Sequence, residues 1–207
     1  MKIEKFVLGM VATNCYVMQN EETKEAVLVD PADCPDYLVN HIKKEGLTIR
    51  AIFLTHGHFD HMTGLKEWLQ EIKVPVYIGE EEKELLADPL LNMSDGMYEE
   101  GFGFTDAIFL KDGESVSAAG FCFQVIHTPG HTVGGCCYYV ESEKILFSGD
   151  TLFRRSVGRS DFPTGDEKAL MSSIKDKLFE LPLETFVYPG HQGETSIREE
   201  KKAWCLL

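Results

Sequence analysis

The stretch LTHGHFDHMTG, residues 54–64, holds three histidines and an aspartate within six consecutive positions. The apolar run IRAIFLT, typical of a buried strand, leads straight into it. In an extended segment His56 and His58 project to the same side, whereas Asp60 and His61 turn toward a second point as a helix begins. Imidazole and carboxylate groups without thiolates are ligands for Zn, Fe, Mn or Ni. The spacing therefore predicts ligands for two adjacent metal ions.

Three further polar residues stand where apolar strands are expected to end. His131 follows the Pro-Gly turn of TPGHT, Asp150 closes the run LFSGD, and His191 follows the run VYPG. Loops at strand ends are held by a rigid scaffold and remain open to solvent, which suits chemistry. The expected arrangement puts one ion on His56, His58 and His131, the other on Asp60, His61 and His191, and Asp150 between them. Two ions about 3.5–4 Å apart hold a hydroxide that is nucleophilic at neutral pH.

The alternative for each histidine taken alone is a surface or satisfied core residue, which is the more common case. The dense H-x-H-x-D-H string argues against that alternative, because burying so many polar side chains without a shared partner costs several kcal/mol. The two histidines outside this set are interpreted as ordinary structural residues without a role in metal binding. His41 lies on a predicted helix over residues 36–46, and His127 ends a predicted strand.

Two groups of charged residues are expected near the cluster. Arg154, Arg155 and Arg159 follow Asp150 closely, so they either bind a substrate carboxylate or form ion pairs with the acidic residues at 161, 166 and 167. Surface ion pairs are common and contribute only about 0–1 kcal/mol. Asp30, at the end of AVLVD, either accepts a hydrogen bond from the outer N–H of a metal-bound imidazole or serves as a helix cap or turn residue.

Strands and helices are expected to alternate along the whole chain. Apolar runs predict strands at 15–19, 25–30, 49–55, 74–79 and 185–190, with a further series between 107 and 153. Helical periodicity is found at 36–46, 64–72, 80–88, 167–181 and 195–204. This alternation predicts two sheets between helical layers. Residues 88–106 lack a period and are interpreted as a loop over the site, whose movement as a lid the sequence does not settle.

Composition indicates one α/β domain over residues 1–207, because 207 residues with 43% hydrophobic content can bury a large core. The formal net charge of −14 disfavours nucleic-acid and anionic-membrane partners. No apolar run approaches the length of a membrane span or a signal sequence, so a cytoplasmic protein is expected. The six cysteines form no C-x-x-C pair and are expected to be reduced, with Cys136 and Cys137 on opposite faces of a strand.

The motifs THGHFDH, HTPGHT, SGDTLF and YPGH, in this order, resemble the metallo-β-lactamase superfamily, and specifically its glyoxalase II-like hydrolases, over nearly the whole chain. The resemblance implies a four-layer αβ/βα sandwich with a dinuclear metal site at one edge. The family's ligand positions fall on the same seven residues. Our hypothesis for the mechanism is that Asp60 also orients the attacking hydroxide.

The segment GDTLFRRSVGRSDFPTGD is similar to the short bacterial and archaeal glyoxalase II-like branch (hydroxyacylglutathione hydrolase-like). That resemblance implies hydrolysis of S-lactoylglutathione or a related hydroxyacyl thioester by a metal-bridging hydroxide. Zinc is the expected metal, with Fe or Mn as alternatives. Full-length glyoxalase II continues into a helical domain that helps hold glutathione, and no counterpart is expected here. The alternatives are a mononuclear iron persulfide dioxygenase and a lactonase or β-lactamase.

Overall fold

The computed structural model describes residues 1–205. Its strands are β1 (Lys2–Leu8), β2 (Thr13–Gln19), β3 (Glu25–Val29), β4 (Thr48–Phe53), β5 (Val76–Gly79), β6 (Ile108–Leu110), β7 (Ser115–Ala118), β8 (Phe121–His127), β9 (Cys136–Val140), β10 (Ile145–Gly149), β11 (Leu152–Phe153), β12 (Ser156–Val157), β13 (Phe186–Pro189) and β14 (Thr195–Ser196). Its α-helices are α1 (Asp36–Glu45), α2 (Phe59–Met62), α3 (Leu65–Glu71), α4 (Lys83–Ala87), α5 (Glu167–Ser172) and α6 (Ile197–Ala203). Short 3-10 helices cover Glu80–Glu82, Glu141–Glu143 and Leu178–Glu180, and a π-helix covers Ser173–Lys177.

Two six-stranded sheets form the centre of the molecule. The first has the order β1-β2-β3-β4-β5-β6, and the second has the order β14-β13-β10-β9-β8-β7. Strands β3 to β6 pair in parallel, as do β10 and β13, so their carboxyl ends lie at the same edge of their sheet. Polar residues that follow parallel strands therefore gather at that edge.

Three apolar clusters define the layers of the fold. Side chains alternate along β2, so that Cys15 and Val17 face α1 and α3, whereas Tyr16 and Met18 face the second sheet. On the far face of the second sheet, Tyr139 packs in a cluster with residues of α5 and α6. The order is helices, sheet, sheet, helices, which confirms the expected four-layer αβ/βα sandwich.

The adjacent cysteines of β9 follow the expected alternation. Cys136 lies between the two sheets, and Cys137 lies against the helices on the other face. All six cysteines are free thiols.

Several elements differ from the expected order. The short strands β12 and β14 are not predicted, with β14 lying at the start of the predicted helix 195–204, and the helix predicted over 80–88 begins as a 3-10 helix. Strand β1 has no counterpart among the predicted strands: it is a partly exposed strand at the edge of its sheet, paired with β2, so its apolar signal is weak. The helix predicted over 167–181 is divided into α5, a π-helix and a 3-10 helix. The π-helix begins at Ser173, whose hydroxyl donates to the Pro129 carbonyl at 2.8 Å, a tertiary contact that periodicity does not report.

Within residues 1–205, no helix combines the length and apolar character that a membrane crossing requires.

Candidate metal centre

The chain delivers its histidines and aspartates to one edge of the two sheets. From the first sheet, His56 and His58 follow β4, and α2 carries Asp60 and His61. From the second sheet, His131 follows β8, Asp150 follows β10 and His191 follows β13. The Asn14 amide N–H donates to the Gly190 carbonyl at 2.7 Å, and the Cys136 N–H donates to the Thr55 carbonyl at 2.8 Å, so backbone hydrogen bonds join the two halves at this edge.

The first group consists of three buried imidazoles. The ring nitrogens of His56, His58 and His131 lie within 4.8 Å of one another. Nδ1 of His58 and Nε2 of His131 are 2.9 Å apart, so both point toward a common centre. Three imidazoles with this convergence match the ligand sets of catalytic metal sites.

The second group consists of Asp60, His61 and His191, whose ligand atoms also lie within 4.8 Å of one another. Oδ2 of Asp60 is 3.3 Å from Nε2 of His191 and 3.5 Å from Nε2 of His61. These separations leave room for a cation among the three groups.

Asp150 lies between the two groups. One of its oxygens is 3.4 Å from Nε2 of His61, and the other is 3.5 Å from Nε2 of both His131 and His191. A single carboxylate thus contacts imidazoles of both groups. This is the position that the sequence prediction gives to a bridging ligand.

The buried atoms that face the centre fit a metal. Nε2 of His56, Nε2 of His61 and Oδ1 of Asp150 are buried without a hydrogen-bond partner among residues 1–205. Buried polar atoms without partners are costly, and a divalent cation would satisfy all three. The residues therefore fit the metal ions that the motif predicts.

The pKa directions agree with this fit. Burial and the neighbouring imidazoles lower the pKa of His56 and His58, to about 3 for His58, which keeps the uncharged form that binds metal. Burial alone would raise the pKa of Asp60, but His61, His191 and the Thr13 hydroxyl lower it below its usual range. Burial opposes charge on His61, yet Asp60, Asp30 and Asp150 outweigh it and raise its pKa. The three carboxylates thus favour positive charge at this position, which a bound cation would supply.

A contact outside the cluster fixes the orientation of one imidazole. Nδ1 of His131 lies 2.6 Å from the Arg159 carbonyl, so its N–H donates there and leaves Nε2 facing the centre. Nδ1 of His61 lies 3.0 Å from Oδ2 of Asp30 but makes no hydrogen bond among residues 1–205. The hydrogen bonds that Asp30 does accept come from the N–H and the hydroxyl of Thr55, each at 2.8 Å. Asp30 therefore lies beside the His61 imidazole as a buried negative charge, and its role as a hydrogen-bond acceptor for that imidazole stays a prediction.

The three arginines occupy different environments. Arg159 lines the cavity in front of the cluster, whereas Arg154 and Arg155 are exposed and lie outside its lining as formed by residues 1–205. Nε and Nη2 of Arg159 donate to the two carboxylate oxygens of Asp161, at 2.8 and 2.7 Å. The guanidinium carbon of Arg159 lies 4.1 Å from the Phe162 ring centroid. Arg159 therefore makes one of the ion pairs that the sequence offers as an alternative to substrate binding.

A cavity of about 430 Å³ opens in front of the cluster. Ligand side chains form its floor, and mostly apolar side chains form its walls: Val11, Phe59, Met93, Phe153, Val157 and Phe162. Met93 belongs to the loop 88–106, so that loop contributes to the wall as expected. The volume suits a small organic substrate.

The hydrogen bond from Thr13 to the predicted metal-binding residue Asp60 cannot be predicted from the sequence. The Thr13 hydroxyl donates to Oδ2 of Asp60 at 2.6 Å, although the two residues are 47 positions apart. A threonine at the start of a strand is common, and only the fold brings β2 and α2 together.

A family model matches most of the sequence that forms this site. Residues 8–191 match the model described as the metallo-beta-lactamase superfamily, which covers most of the chain. The chain belongs to the metallo-beta-lactamase superfamily. The seven clustered residues all lie within the matched span.

Curated relatives of this superfamily are similar over nearly their whole length. The probable metallo-hydrolase YqgX of Bacillus subtilis is 36% identical over 97% of this chain and 95% of that protein. The hydroxyacylglutathione hydrolase GloC of Haemophilus influenzae is 32% identical over 98% of this chain and 96% of that protein. Metallo-hydrolases among the relatives indicate that this superfamily member is an enzyme.

Solved structures agree with the fold. The B3 metallo-beta-lactamase BLEG-1 superposes with a TM-score of 0.90 at 38% identity, covering 97% of both chains. TTHA1623, solved in a di-iron-bound form, superposes with a TM-score of 0.84 at 35% identity, covering 97% of this chain and 98% of that one.

Proposed function

We propose that this superfamily member hydrolyses a hydroxyacyl thioester, such as S-lactoylglutathione, to the acid and the free thiol. The observation that carries the proposal is the convergence of two three-ligand groups on a shared carboxylate at the floor of a substrate-sized cavity. We expect zinc in both positions, with iron or manganese as alternatives. The di-iron form of TTHA1623 supports the paired site and keeps iron among the candidates.

The choice of a thioester is supported by the relative GloC. That protein is named a hydroxyacylglutathione hydrolase, and this chain covers 96% of it. The segment from Gly149 to Asp166 also resembles the glyoxalase II-like branch. GloC, which has about the same length as this chain, is therefore named for the proposed activity.

Different residues of the chain would have different roles in such a reaction. The histidines would hold divalent ions, which when bound would supply Lewis acidity and a hydroxide nucleophile at neutral pH. The charges of Asp60 and Asp150 would offset part of the positive charge at the floor. Asp60, which accepts a hydrogen bond from the Thr13 hydroxyl, would orient the nucleophile. The apolar walls exclude bulk water and so strengthen the electrostatic interactions in the site.

The proposal is tested by thiol release from S-D-lactoylglutathione, measured with metal-loaded protein and with a chelator-treated sample. Rapid release that depends on metal is the expected result. No release from protein with both metal positions filled would contradict the thioester assignment. Oxygen uptake with glutathione persulfide would then test the iron dioxygenase alternative.

Arg159 provides a test of substrate recognition. The ion pair between Arg159 and Asp161 is exposed, and exposed ion pairs are weak, so a substrate carboxylate can take the place of Asp161. Because a lost hydrogen bond to a charged group lowers affinity at least about 10-fold, Arg159→Ala is expected to raise KM for lactoylglutathione by at least about 10-fold with little change in kcat. Arg155→Ala, outside the cavity lining, is the matched control. Unchanged KM in both variants would remove Arg159 from the binding site.

A second candidate is β-lactam hydrolysis, which the similarity to BLEG-1 favours. Both substrates would present a carbonyl carbon to the same metal-binding residues. The side chains that line the cavity would therefore determine which of the two substrates binds. A chromogenic cephalosporin assayed beside lactoylglutathione compares the two activities. A kcat/KM for the cephalosporin above that for the thioester would reverse the order of the candidates.

A further inference from the structure

Glu82 is a fully buried glutamate outside the seven-residue cluster. Its residue exposure is 0%, and it ends the 3-10 helix Glu80–Glu82, just before α4. Glutamate is rarely buried to this extent unless its carboxylate has specific partners. The partners of Glu82 are the loops that carry the histidine ligands.

Each carboxylate oxygen of Glu82 holds a different loop. Oε2 accepts the Gly57 N–H at 2.9 Å, and Oε1 accepts the Gly134 N–H at 2.8 Å. Gly57 lies between His56 and His58, and Gly134 lies three residues after His131. One side chain is therefore bonded to the backbone of both segments that supply the first ligand group.

Close packing leaves these loops no room to shift toward Glu82. A Cβ added to Gly57 would lie 2.9 Å from Leu85 and 3.1 Å from the backbone of Leu86. A Cβ added to Gly134 would lie 2.2 Å from the Glu82 nitrogen. The 3-10 helix thus touches the Gly134 loop backbone to backbone, a contact that only glycine permits, and α4 packs closely on the Gly57 loop.

The two loops belong to different sheets. The loop with Gly57 follows β4 of the first sheet, and the loop with Gly134 precedes β9 of the second. The distance between His58 and His131 therefore depends on how the two sheets are held together at this edge. The Glu82 carboxylate, with one bond to each side, links the two loops alongside the backbone hydrogen bond from Cys136 to Thr55.

We propose that Glu82 is a positioning residue that sets the spacing of His56, His58 and His131 for metal binding. The inference rests on the metal site of the proposed function and not on its thioester substrate. Groups that orient metal ligands typically change metal affinity 10–100-fold when they are removed.

Glu82→Gln is the informative variant. A carboxylate presents two acceptors, whereas a glutamine amide presents one acceptor and one NH2 donor. The amide satisfies one loop N–H and turns a donor toward the other, so the size of the side chain is kept while one bond is lost. Glu81→Gln, which removes a charge from the exposed neighbour, is the matched control.

The experiment titrates metal-free full-length protein with Co²⁺ and follows the visible d–d bands and the affinity in competition with a chelator. Glu82→Gln is expected to weaken Co²⁺ binding 10–100-fold and to change the band positions, whereas Glu81→Gln is expected to match the wild type. Ile174→Val removes one buried methyl group from the apolar cluster beyond the second sheet and is expected to lower the melting temperature. It is expected to keep wild-type bands and affinity, which separates positioning from general destabilisation.

Wild-type Co²⁺ affinity and bands in Glu82→Gln would overturn the positioning role while leaving the proposed hydrolysis intact. An equal loss of affinity in Ile174→Val at a similar melting temperature would also overturn it, because the effect would then follow global stability. A wild-type protein that binds no Co²⁺ would instead overturn the metal site and with it the proposed function.

Discussion

Asp60→Asn is expected to lower kcat for thiol release about 10²–10⁴-fold, the range typical of losing a group that orients or activates the nucleophile. Asparagine keeps the shape of the side chain, and its amide oxygen can still accept from the Thr13 hydroxyl. The substitution removes the negative charge that lies 3.3 Å from His191 and 3.5 Å from His61. The fold should survive, because the contacts of Asp60 lie at the edge of the core. Turnover, metal content and melting temperature are measured together.

Asp176→Asn is the control, because Asp176 is an exposed aspartate on another element and should leave all three quantities unchanged. A variant of Asp60 that retained both metals and full turnover would show that the carboxylate neither coordinates nor orients. Loss of folding in Asp60→Asn would point to a structural role instead.

Gly190→Ala is expected to impair metal binding and turnover by about 100-fold, the cost typical of displacing catalytic groups by about 1 Å. A Cβ at this position would lie 2.2 Å from Oδ1 of Asp150 and 2.6 Å from the His61 ring. The backbone of Gly190 has no positive φ, so the effect is steric and falls directly on the ligands. Metal content after dialysis and kcat are the measurements.

Gly193→Ala is the matched control three residues later. Its added Cβ would approach no atom more closely than the 3.9 Å to Arg154, an ordinary contact. It is expected to behave as the wild type. Equal metal content in Gly190→Ala and the wild type would mean that Asp150 and His61 can move aside without loss, contrary to a tightly defined centre.

The parts of this protein that could be predicted from sequence are those encoded in short, local patterns. The H-x-H-x-D-H string lies within six residues, and the other ligands follow apolar strands, so the alternation of strands and helices was enough to bring them to one edge. The family motifs extended this to the four-layer fold. Metal binding by the seven residues remains a prediction, with a geometry in the structure that fits it.

What could not be predicted depends on contacts between distant segments. Thr13 reaches Asp60 across 47 positions, and Glu82 reaches Gly134 across 52. Neither residue type is unusual where it stands, and a glutamate in an acidic helical segment favours a solvated surface over a buried bond. Strand β1 is similar: it is stabilised by pairing with β2, and its own residues are mostly half-buried.

The arginines illustrate the same limit at the surface. Their position after Asp150 predicts proximity to the site, and of the three Arg159 lines the cavity. The direction of each side chain depends on local partners, here Asp161 and Phe162 for Arg159. Sequence spacing alone does not distinguish Arg159 from Arg154 and Arg155.

The paired metal centre is tested most directly by anomalous diffraction from crystals of the metal-loaded protein, recorded at the absorption edge of the bound metal. Two peaks are expected in each chain, about 3.5–4 Å apart. One should be ligated by His56, His58 and His131, the other by Asp60, His61 and His191, with Asp150 contacting both. A single peak in fully loaded crystals, or a second peak away from Asp60 and His191, would contradict the dinuclear hydrolase and favour a mononuclear enzyme.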